Sequence, residues 1–127
     1  HRFAKYNGLS LSQFLKNTEI DEIVKSTMVG GATLTKLLGT SAWYAPGASI
    51  AYVVDSILNN QNRIIPSSVY LEGEYGVNDI CIGVPCIIGK QGVVEIVELD
   101  LNQEEKSLFS NSVDAVRKMN ESLSEHI

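Results

Sequence analysis

The residues whose types suggest a binding surface lie in one uncharged segment, residues 38–49. This segment combines small residues with two aromatic residues and Pro46, and no charged residue occurs anywhere in residues 37–54. Small side chains let another molecule approach the backbone closely, while aromatic rings and proline give a cavity its shape. We therefore predict that this segment forms one wall of a binding cavity.

No plausible set of catalytic side chains accompanies this wall. His1 and His126 stand at opposite ends of the sequence, and Glu72 and Glu74, which flank a predicted turn, are better explained as a solvated hairpin end than as an acid–base pair. The sequence contains no Gly-x-Ser-x-Gly nucleophile motif, no Gly-x-Gly-x-x-Gly fingerprint and no P-loop. We predict that the chain carries no catalytic residue and no metal site of its own.

Two cysteines lie in an apolar run that we predict to be a strand. Cys81 and Cys86 are an odd number of residues apart, so they should point to opposite faces, with roughly 16 Å between them. A disulfide requires Cα atoms within about 7 Å, which excludes a bridge within the chain. We interpret both as buried structural thiols and predict a reducing, cytoplasmic location.

Composition limits the classes of partner. A length of 127 residues fits one domain, and a net charge of −5 with scattered Lys and Arg residues argues against binding to nucleic acid. No apolar run reaches the ~20 residues that a bilayer crossing needs, so we predict no membrane partner. Because the sequence begins with His1 instead of Met and its first residues do not form a signal peptide, we interpret it as a piece of a longer protein or a processed product.

The first half of the chain predicts helices. After a brief helix in residues 9–16, apolar residues recur at helical spacing from about Thr18 onward. Gly30-Gly31 interrupts this helix at a cost of about 1 kcal/mol for each glycine relative to alanine. We predict that another helix or subunit packs tightly at these glycines. A second helix is predicted from Ala48 to Leu58.

The second half predicts an antiparallel meander followed by a helix. Strands are expected at Arg63–Glu72, where Pro66 favours an edge position, and at residues 79–88 and 93–99. Asn102 with Glu105 indicates a capping box at the start of the last helix. The order of elements predicts an α+β domain. The apolar stripe of the closing helix consists of Phe109, Val113, Val116 and Leu123.

Several short stretches occur in a characteristic order and spacing, at residues 8–14, 21–24, 30–31, 41–46, 70–77, 82–85, 89–93 and 112–116. Together they resemble the C-terminal, substrate-binding half of NAD-dependent malate and lactate dehydrogenases, and especially the malate dehydrogenases that are similar to lactate dehydrogenases. The resemblance covers the whole chain. It implies an α+β fold of helices, a three-stranded antiparallel meander and a C-terminal helix.

The same resemblance implies an oxidoreductase that moves a hydride between NAD and a small 2-hydroxy or 2-oxo acid, with malate and oxaloacetate favoured over lactate and pyruvate. Residues 1–127 would be the substrate-binding and oligomerisation domain. The NAD-binding Rossmann domain and the catalytic histidine, aspartate and arginines are expected upstream of His1. The chain alone is therefore expected to be inactive.

The resemblance also assigns roles to individual positions. Ala42 matches a position that faces substrate and nicotinamide, Pro46 matches a residue that packs against the nicotinamide face, and Ser41 lies beside them. The helix with Gly30 and Gly31 corresponds to one that packs against a neighbouring subunit, which implies a homodimer or homotetramer. The alternative interpretation is a non-catalytic assembly module in which the same surfaces serve only subunit contact.

Overall fold

A computed structural model describes residues 2–123 of the chain. These residues belong to two compact units, one ending at Ala48 and the other beginning at Ser49. The boundary falls within the second long helix. The units are described separately below.

The first unit opens with a small antiparallel hairpin. Strands β1 (Lys5–Tyr6) and β2 (Leu9–Ser10) pair through Lys5 with Ser10 and Tyr6 with Leu9. The two turn residues between them both have positive φ angles, a conformation that suits two-residue hairpins. A short 3-10 turn, Leu11–Gln13, follows where a brief helix was predicted.

Helix α1 (Asn17–Leu38) begins within one residue of the predicted start. The Glu19 carboxylate accepts the backbone N–H of Lys16 at 2.8 Å, which satisfies one of the free donors at the helix end. Gly39 ends the helix in the left-handed conformation, with φ of 69°. The glycine pair does not break the helix, which continues through it without interruption.

Helix α2 (Tyr44–Leu58) begins four residues before the predicted start at Ala48. The prediction was wrong because Pro46 was treated as part of a loop. Pro46 lies in the first turn of α2, where a backbone N–H has no partner within the helix and its loss costs nothing. The N–H of Gly47 donates to the Trp43 carbonyl at 2.8 Å and closes this turn.

The second unit is built on a three-stranded antiparallel sheet. Strands β3 (Arg63–Glu72), β4 (Asn78–Gly89) and β5 (Gly92–Ile96) lie in the order β3-β4-β5, and helix α3 (Gln103–Leu123) follows. The sheet confirms the predicted meander, and Pro66 lies on an edge strand as predicted. The core lies on one face of β3 and β4 and includes one residue of α3: Ile65, Leu71, Ile80, Ile82, Val84, Cys86, Ile88 and Val113.

Ser56 joins helix α2 to the sheet of the second unit. Its side chain is fully buried, and its hydroxyl donates to the Ile88 carbonyl at 2.7 Å while accepting the backbone N–H of Arg63 at 3.4 Å. Arg63 in turn pairs with Asp55 at 2.8 Å and lies 4.1 Å from the centre of the Tyr52 ring. Burial of a polar group is tolerated here because its hydrogen bonds are made.

Strand β5 ends at Ile96, three residues earlier than predicted. Beyond Ile96, the Val97 N–H donates to the Pro85 carbonyl at 2.8 Å. The Val97 carbonyl and the Leu99 N–H, however, form hydrogen bonds with the Tyr75 side chain and not with a neighbouring strand. The Tyr75 hydroxyl donates to the Val97 carbonyl at 2.7 Å and accepts the Leu99 N–H at 3.0 Å. This tyrosine therefore replaces the strand ladder for residues 97–99.

The two cysteines lie on opposite faces of β4, as their spacing predicted. Cys86 is fully buried, whereas Cys81 is exposed, so the prediction that both are buried was wrong for Cys81. The core covers only one face of this sheet. Neither thiol forms a disulfide.

The capping box of α3 is present as predicted. The Asn102 Oδ1 atom accepts the Glu105 N–H, and the Glu105 carboxylate accepts the Asn102 N–H, both at 2.9 Å. Of the predicted apolar stripe, Phe109, Val113 and Val116 contact the core, while Leu123 is 55% exposed. No helix formed by residues 2–123 combines the length and the apolar composition that a membrane crossing requires.

Candidate functional site

The predicted wall forms the connection between α1 and α2 and the first turn of α2. Ala42 is half-buried, while Ser41 and Pro46 are exposed. Trp43 and Tyr44 are also open to solvent, with 65% and 87% of their surfaces exposed. Small, uncharged residues therefore lie on an accessible surface of the first unit, which is what a wall for an external molecule requires.

The local electrostatics of this surface come from the backbone. The first turn of α2 contains no acidic side chain, and the nearest charged residues in the sequence are Lys36 and Asp55. The free N–H groups at a helix start carry a partial positive charge that favours anions. The wall thus combines an uncharged surface with the positive end of a helix.

Gly30 and Gly31 lie side by side in the middle of α1. A Cβ atom added at either position would meet nothing within 4 Å, so nothing in the described residues packs against them. Several large apolar residues of the same helix are also strongly exposed, among them Met28 and Leu37, each at 80%. Helix α1 therefore presents an apolar surface that no described part of the chain covers.

Several ionisable groups of the second unit have altered pKa values, and each has a local structural cause. A hydrogen bond from Asn59 lowers the pKa of Asp55, with the Arg63 charge adding to the effect. The backbone N–H of Glu72 lowers the pKa of Glu74, and the hydrogen bond to Asp79 raises the pKa of Tyr70. Tyr70 is exposed and Asp55 and Glu74 are partly exposed, and these three groups form no acid–base pair around a common cavity.

A cavity of about 470 Å³ in the second unit was not predicted from the sequence. Its aromatic lining residues are Tyr75 and Phe109, whose ring centres lie 5.1 Å apart, and its polar lining residues include Glu98, Asp100, Lys106 and Ser110. The sequence assigned Tyr75 to a turn and Phe109 to a helix stripe. Only the tertiary contact between distant segments creates the cavity, so no local pattern revealed it.

The predicted site residues and this cavity are separate features of the chain. None of the three cavities described in the two units is lined by Ser41, Ala42 or Pro46. Within residues 2–123, no group of three or more His, Cys, Asp and Glu side chains comes together in a way that could hold a metal ion. His1 and His126 lie outside the described residues.

Comparisons with known proteins place the chain in a family. Residues 4–126 match the family model of the lactate/malate dehydrogenase alpha/beta C-terminal domain. The chain is 66% identical over 122 residues to a malate dehydrogenase of Flavobacterium johnsoniae, covering 96% of this chain and 39% of that protein. It is 61% identical over 124 residues to a malate dehydrogenase of Parabacteroides distasonis, covering 98% and 40% respectively.

Solved structures agree with this match. The malate dehydrogenase of Salinibacter ruber superposes with a TM-score of 0.95 at 39% identity, over 98% of this chain and 41% of that one. The lactate dehydrogenase of Eimeria maxima, solved with NADH and oxamate, gives 0.93 at 40% identity, over 98% and 40%. The chain spans about two fifths of the length of these relatives. It belongs to the C-terminal domain family of the lactate/malate dehydrogenases.

Proposed function

We propose that this chain is the substrate-binding and subunit-contact part of an NAD-dependent malate dehydrogenase. The observation that carries the proposal is its identity of 60% or more, over at least 96% of its length, to several proteins named malate dehydrogenase. In this proposal the dinucleotide-binding domain is another part of the same polypeptide. The catalytic histidine, aspartate and arginines would belong to that polypeptide outside residues 1–127.

The proposed substrate is a small 2-hydroxy or 2-oxo acid, with malate and oxaloacetate favoured over lactate and pyruvate. The relatives with the higher identities carry the malate name, whereas the lactate dehydrogenase of Eimeria maxima is 40% identical. That structure contains NADH and oxamate, which supports NAD as the cofactor here. When bound, NAD supplies the hydride acceptor or donor.

The surface at Ser41, Ala42 and Pro46 suits contact with a nicotinamide ring. Its small, uncharged side chains allow a flat ring to approach the backbone, and Pro46 offers a rigid apolar face. We propose that Ala42 and Pro46 exclude water from one side of the ring and limit its orientation, with Ser41 beside them. The start of α2 would favour an anionic substrate nearby.

Helix α1 is proposed as the contact with a second copy of the subunit. Its exposed apolar residues and the open space around Gly30 and Gly31 support close packing of a partner helix. A homodimer or homotetramer follows from this proposal. The unpaired thiols of Cys81 and Cys86 support the further proposal of a reducing, cytoplasmic compartment.

The test is the oxidation of NADH by the full-length protein with oxaloacetate and, separately, with pyruvate. We expect turnover with oxaloacetate to exceed turnover with pyruvate, and no turnover by the 127-residue chain alone. The variant Ala42→Phe should lower kcat/KM about a hundredfold, because a bulky ring would displace the nicotinamide or the substrate. Assembly, measured by sedimentation, should be unchanged.

The matched control is Ala115→Phe, which places the same ring on the exposed surface of α3. It should leave both turnover and assembly unchanged. If Ala42→Phe instead disrupts assembly while turnover persists, the surface serves subunit contact and its proposed catalytic role is wrong. Full activity of the isolated chain would contradict the proposed location of the catalytic residues.

A further inference from the structure

We propose that Asn7 is a modification site, whose side-chain amide is converted to aspartate and isoaspartate through a cyclic imide closed by the Gly8 nitrogen. Asn7-Gly8 is the only Asn-Gly pair in the sequence, and it forms the turn between β1 and β2. The proposal is independent of the dehydrogenase assignment, because it involves neither the predicted wall nor any group assigned to catalysis.

The reaction requires only the chain and water. The Gly8 main-chain nitrogen attacks Cγ of Asn7, a bond forms between these two atoms, and the bond from Cγ to Nδ2 breaks. The proton of the Gly8 N–H leaves with Nδ2 as ammonia, so that a five-membered imide remains. Water then opens the imide at one of its two carbonyl carbons. Opening at Cγ gives isoaspartate's isomer, ordinary aspartate, whereas opening at the main-chain carbonyl gives isoaspartate.

The described surroundings of the turn leave this attack unobstructed. Both turn residues are exposed, and a Cβ atom added at Gly8 would meet nothing within 4 Å. Because glycine has no side chain beside its nitrogen, the Asn7 Cγ atom can approach closely. Within residues 2–123, neither the Asn7 side chain nor the Gly8 N–H forms a hydrogen bond that would have to break first.

The folded turn must open before the ring can close. Asn7 and Gly8 have left-handed backbones, with φ of 48° and 84°. Closure of the imide requires rotation about the bond from Cα to the carbonyl carbon of Asn7, out of the left-handed conformation. Only two residue pairs hold the hairpin, and none of their four members is buried. Hairpins this small are marginally stable, so we expect frequent opening.

Other asparagines of the chain lack this combination of features. Asn60 and Asn62 also have positive φ angles, of 49° and 52°, but the residues after them carry long side chains. The Asn60 Oδ1 atom already accepts a backbone N–H at 2.9 Å. Asn111 precedes a small residue, Ser112, but it lies in the interior of α3, where the helix fixes its backbone. Asn7 is therefore expected to react first.

The two products have different effects on the hairpin. Each conversion adds one negative charge to the net charge of −5. Isoaspartate also lengthens the main chain by one carbon atom between Tyr6 and Leu9. Because turn length fixes the register of a hairpin, the longer turn can no longer hold the pairing of Lys5 with Ser10. Aspartate keeps the turn length and is accepted in turns of this type.

The test follows deamidation in the full-length protein during incubation at mildly alkaline pH. Trypsin releases Asn7 in the peptide of residues 6–16 and Asn111 in that of residues 107–117, and mass spectrometry detects a gain of about one mass unit. We expect Asn7 to react at least about tenfold faster than Asn111 in the folded protein, giving both products. In urea, the rate at Asn111 should rise more than the rate at Asn7, because α3 restrains Asn111 more than the hairpin restrains Asn7.

Asn7→Gln should abolish the reaction at this position, because its imide would need a six-membered ring, which closes far more slowly. The matched control, Asn111→Gln, should leave the rate at Asn7 unchanged, and circular dichroism checks that both variants are folded. The comparison of the two peptides in the unaltered protein needs neither variant. Three results would overturn the proposal: a reaction at Asn7 no faster than at Asn111 in the folded protein, equal acceleration of both in urea, or aspartate without isoaspartate, which would mean direct hydrolysis of the amide.

Discussion

Cys81 and Cys86 experience different surroundings although they lie on the same strand. Burial raises the pKa of the Cys86 thiol, so that less of it is ionised at neutral pH, and the core shields it from reagents. Cys81 lies on the opposite, open face of β4. The five-residue spacing predicted that the two thiols lie on opposite faces of β4. No pattern in the sequence indicated that the face with Cys81 lacks a covering layer.

We expect Ellman's reagent to modify one thiol of the folded 127-residue chain rapidly and the other only on unfolding. The fast reaction belongs to Cys81, because it is exposed. The Cys81→Ser variant should therefore lose the fast phase, and Cys86→Ser should retain it. A fast phase that survives in Cys81→Ser would mean that the β4 core opens readily.

Asp55 makes folding sensitive to acid. Hydrogen bonds from Asn59 at 2.6 Å and Gln61 at 3.1 Å, together with the Arg63 charge, hold its pKa below the ordinary value of 3.8. A carboxyl group whose pKa is lowered in the folded state stabilises the fold above its unfolded pKa. That contribution is lost as the pH falls through the folded pKa.

The predicted consequence concerns Asp55→Asn. Near neutral pH, its Tm should be lower than that of the unaltered chain, and the difference should shrink toward about pH 2, as protonation of Asp55 removes its charge. Thermal unfolding at the two pH values measures this. Asp114→Asn, at an exposed position of α3, provides the comparison and should change Tm little at either pH. An unchanged difference at low pH would contradict the assignment to charge.

At the scale of elements, the start of α3 depends on a reciprocal pair of hydrogen bonds between Asn102 and Glu105. Asn102→Ala removes one acceptor and exposes the first turn, and it should lower the free energy of unfolding by about 1 kcal/mol. Urea denaturation measures the change. Asn111→Ala, within the same helix and exposed, should cause no comparable loss because alanine favours helix interiors. Equal effects of both variants would refute the capping role.

Elements with strong local signals were predicted well. The bounds of β3 match the prediction at both ends, and the capping box identified the start of α3. The end of β5 was missed because Tyr75, more than twenty residues away, takes over the hydrogen bonds of Val97 and Leu99. The early start of α2 was missed because a proline was treated as a loop signal. In the candidate site, Ser41 and Pro46 are exposed and Ala42 is half-buried, while the cavity wall and the roles of these three residues stay predictions.

At the scale of the whole molecule, replacing Gly30 or Gly31 should have opposite effects on the stability of one chain and on the association of subunits. Alanine at each position should raise the free energy of unfolding of the isolated chain by about 1 kcal/mol, because the helix gains and nothing within 4 Å opposes the new methyl group. In the full-length protein the same methyl groups should weaken association, if a partner helix packs closely there. Urea denaturation and sedimentation measure the two effects.

Gly47→Ala is the matched control for that pair, since it adds a methyl group to another helix at a position with open space. It should alter stability in the same direction and leave association unchanged. Association that is equally strong in Gly30→Ala and Gly31→Ala would show that α1 does not pack closely against a second subunit. The proposed malate dehydrogenase activity would be unaffected by that outcome.

Gly89, the last residue of β4, has a further consequence for how this domain can vary. A methyl group there would collide with the amide oxygen of Asn62 and approach Val94 Cγ2 to 2.9 Å. Next to it, Asn60 Oδ1 accepts the Lys90 N–H at 2.9 Å, so the hairpin tip and the end of α2 share one crowded junction. Any larger residue at Gly89 would push the hairpin tip away from the segment that follows α2. The residue types that the hairpin tip can accept are thereby limited by Asn60 and Asn62, which follow the end of helix α2 at Leu58.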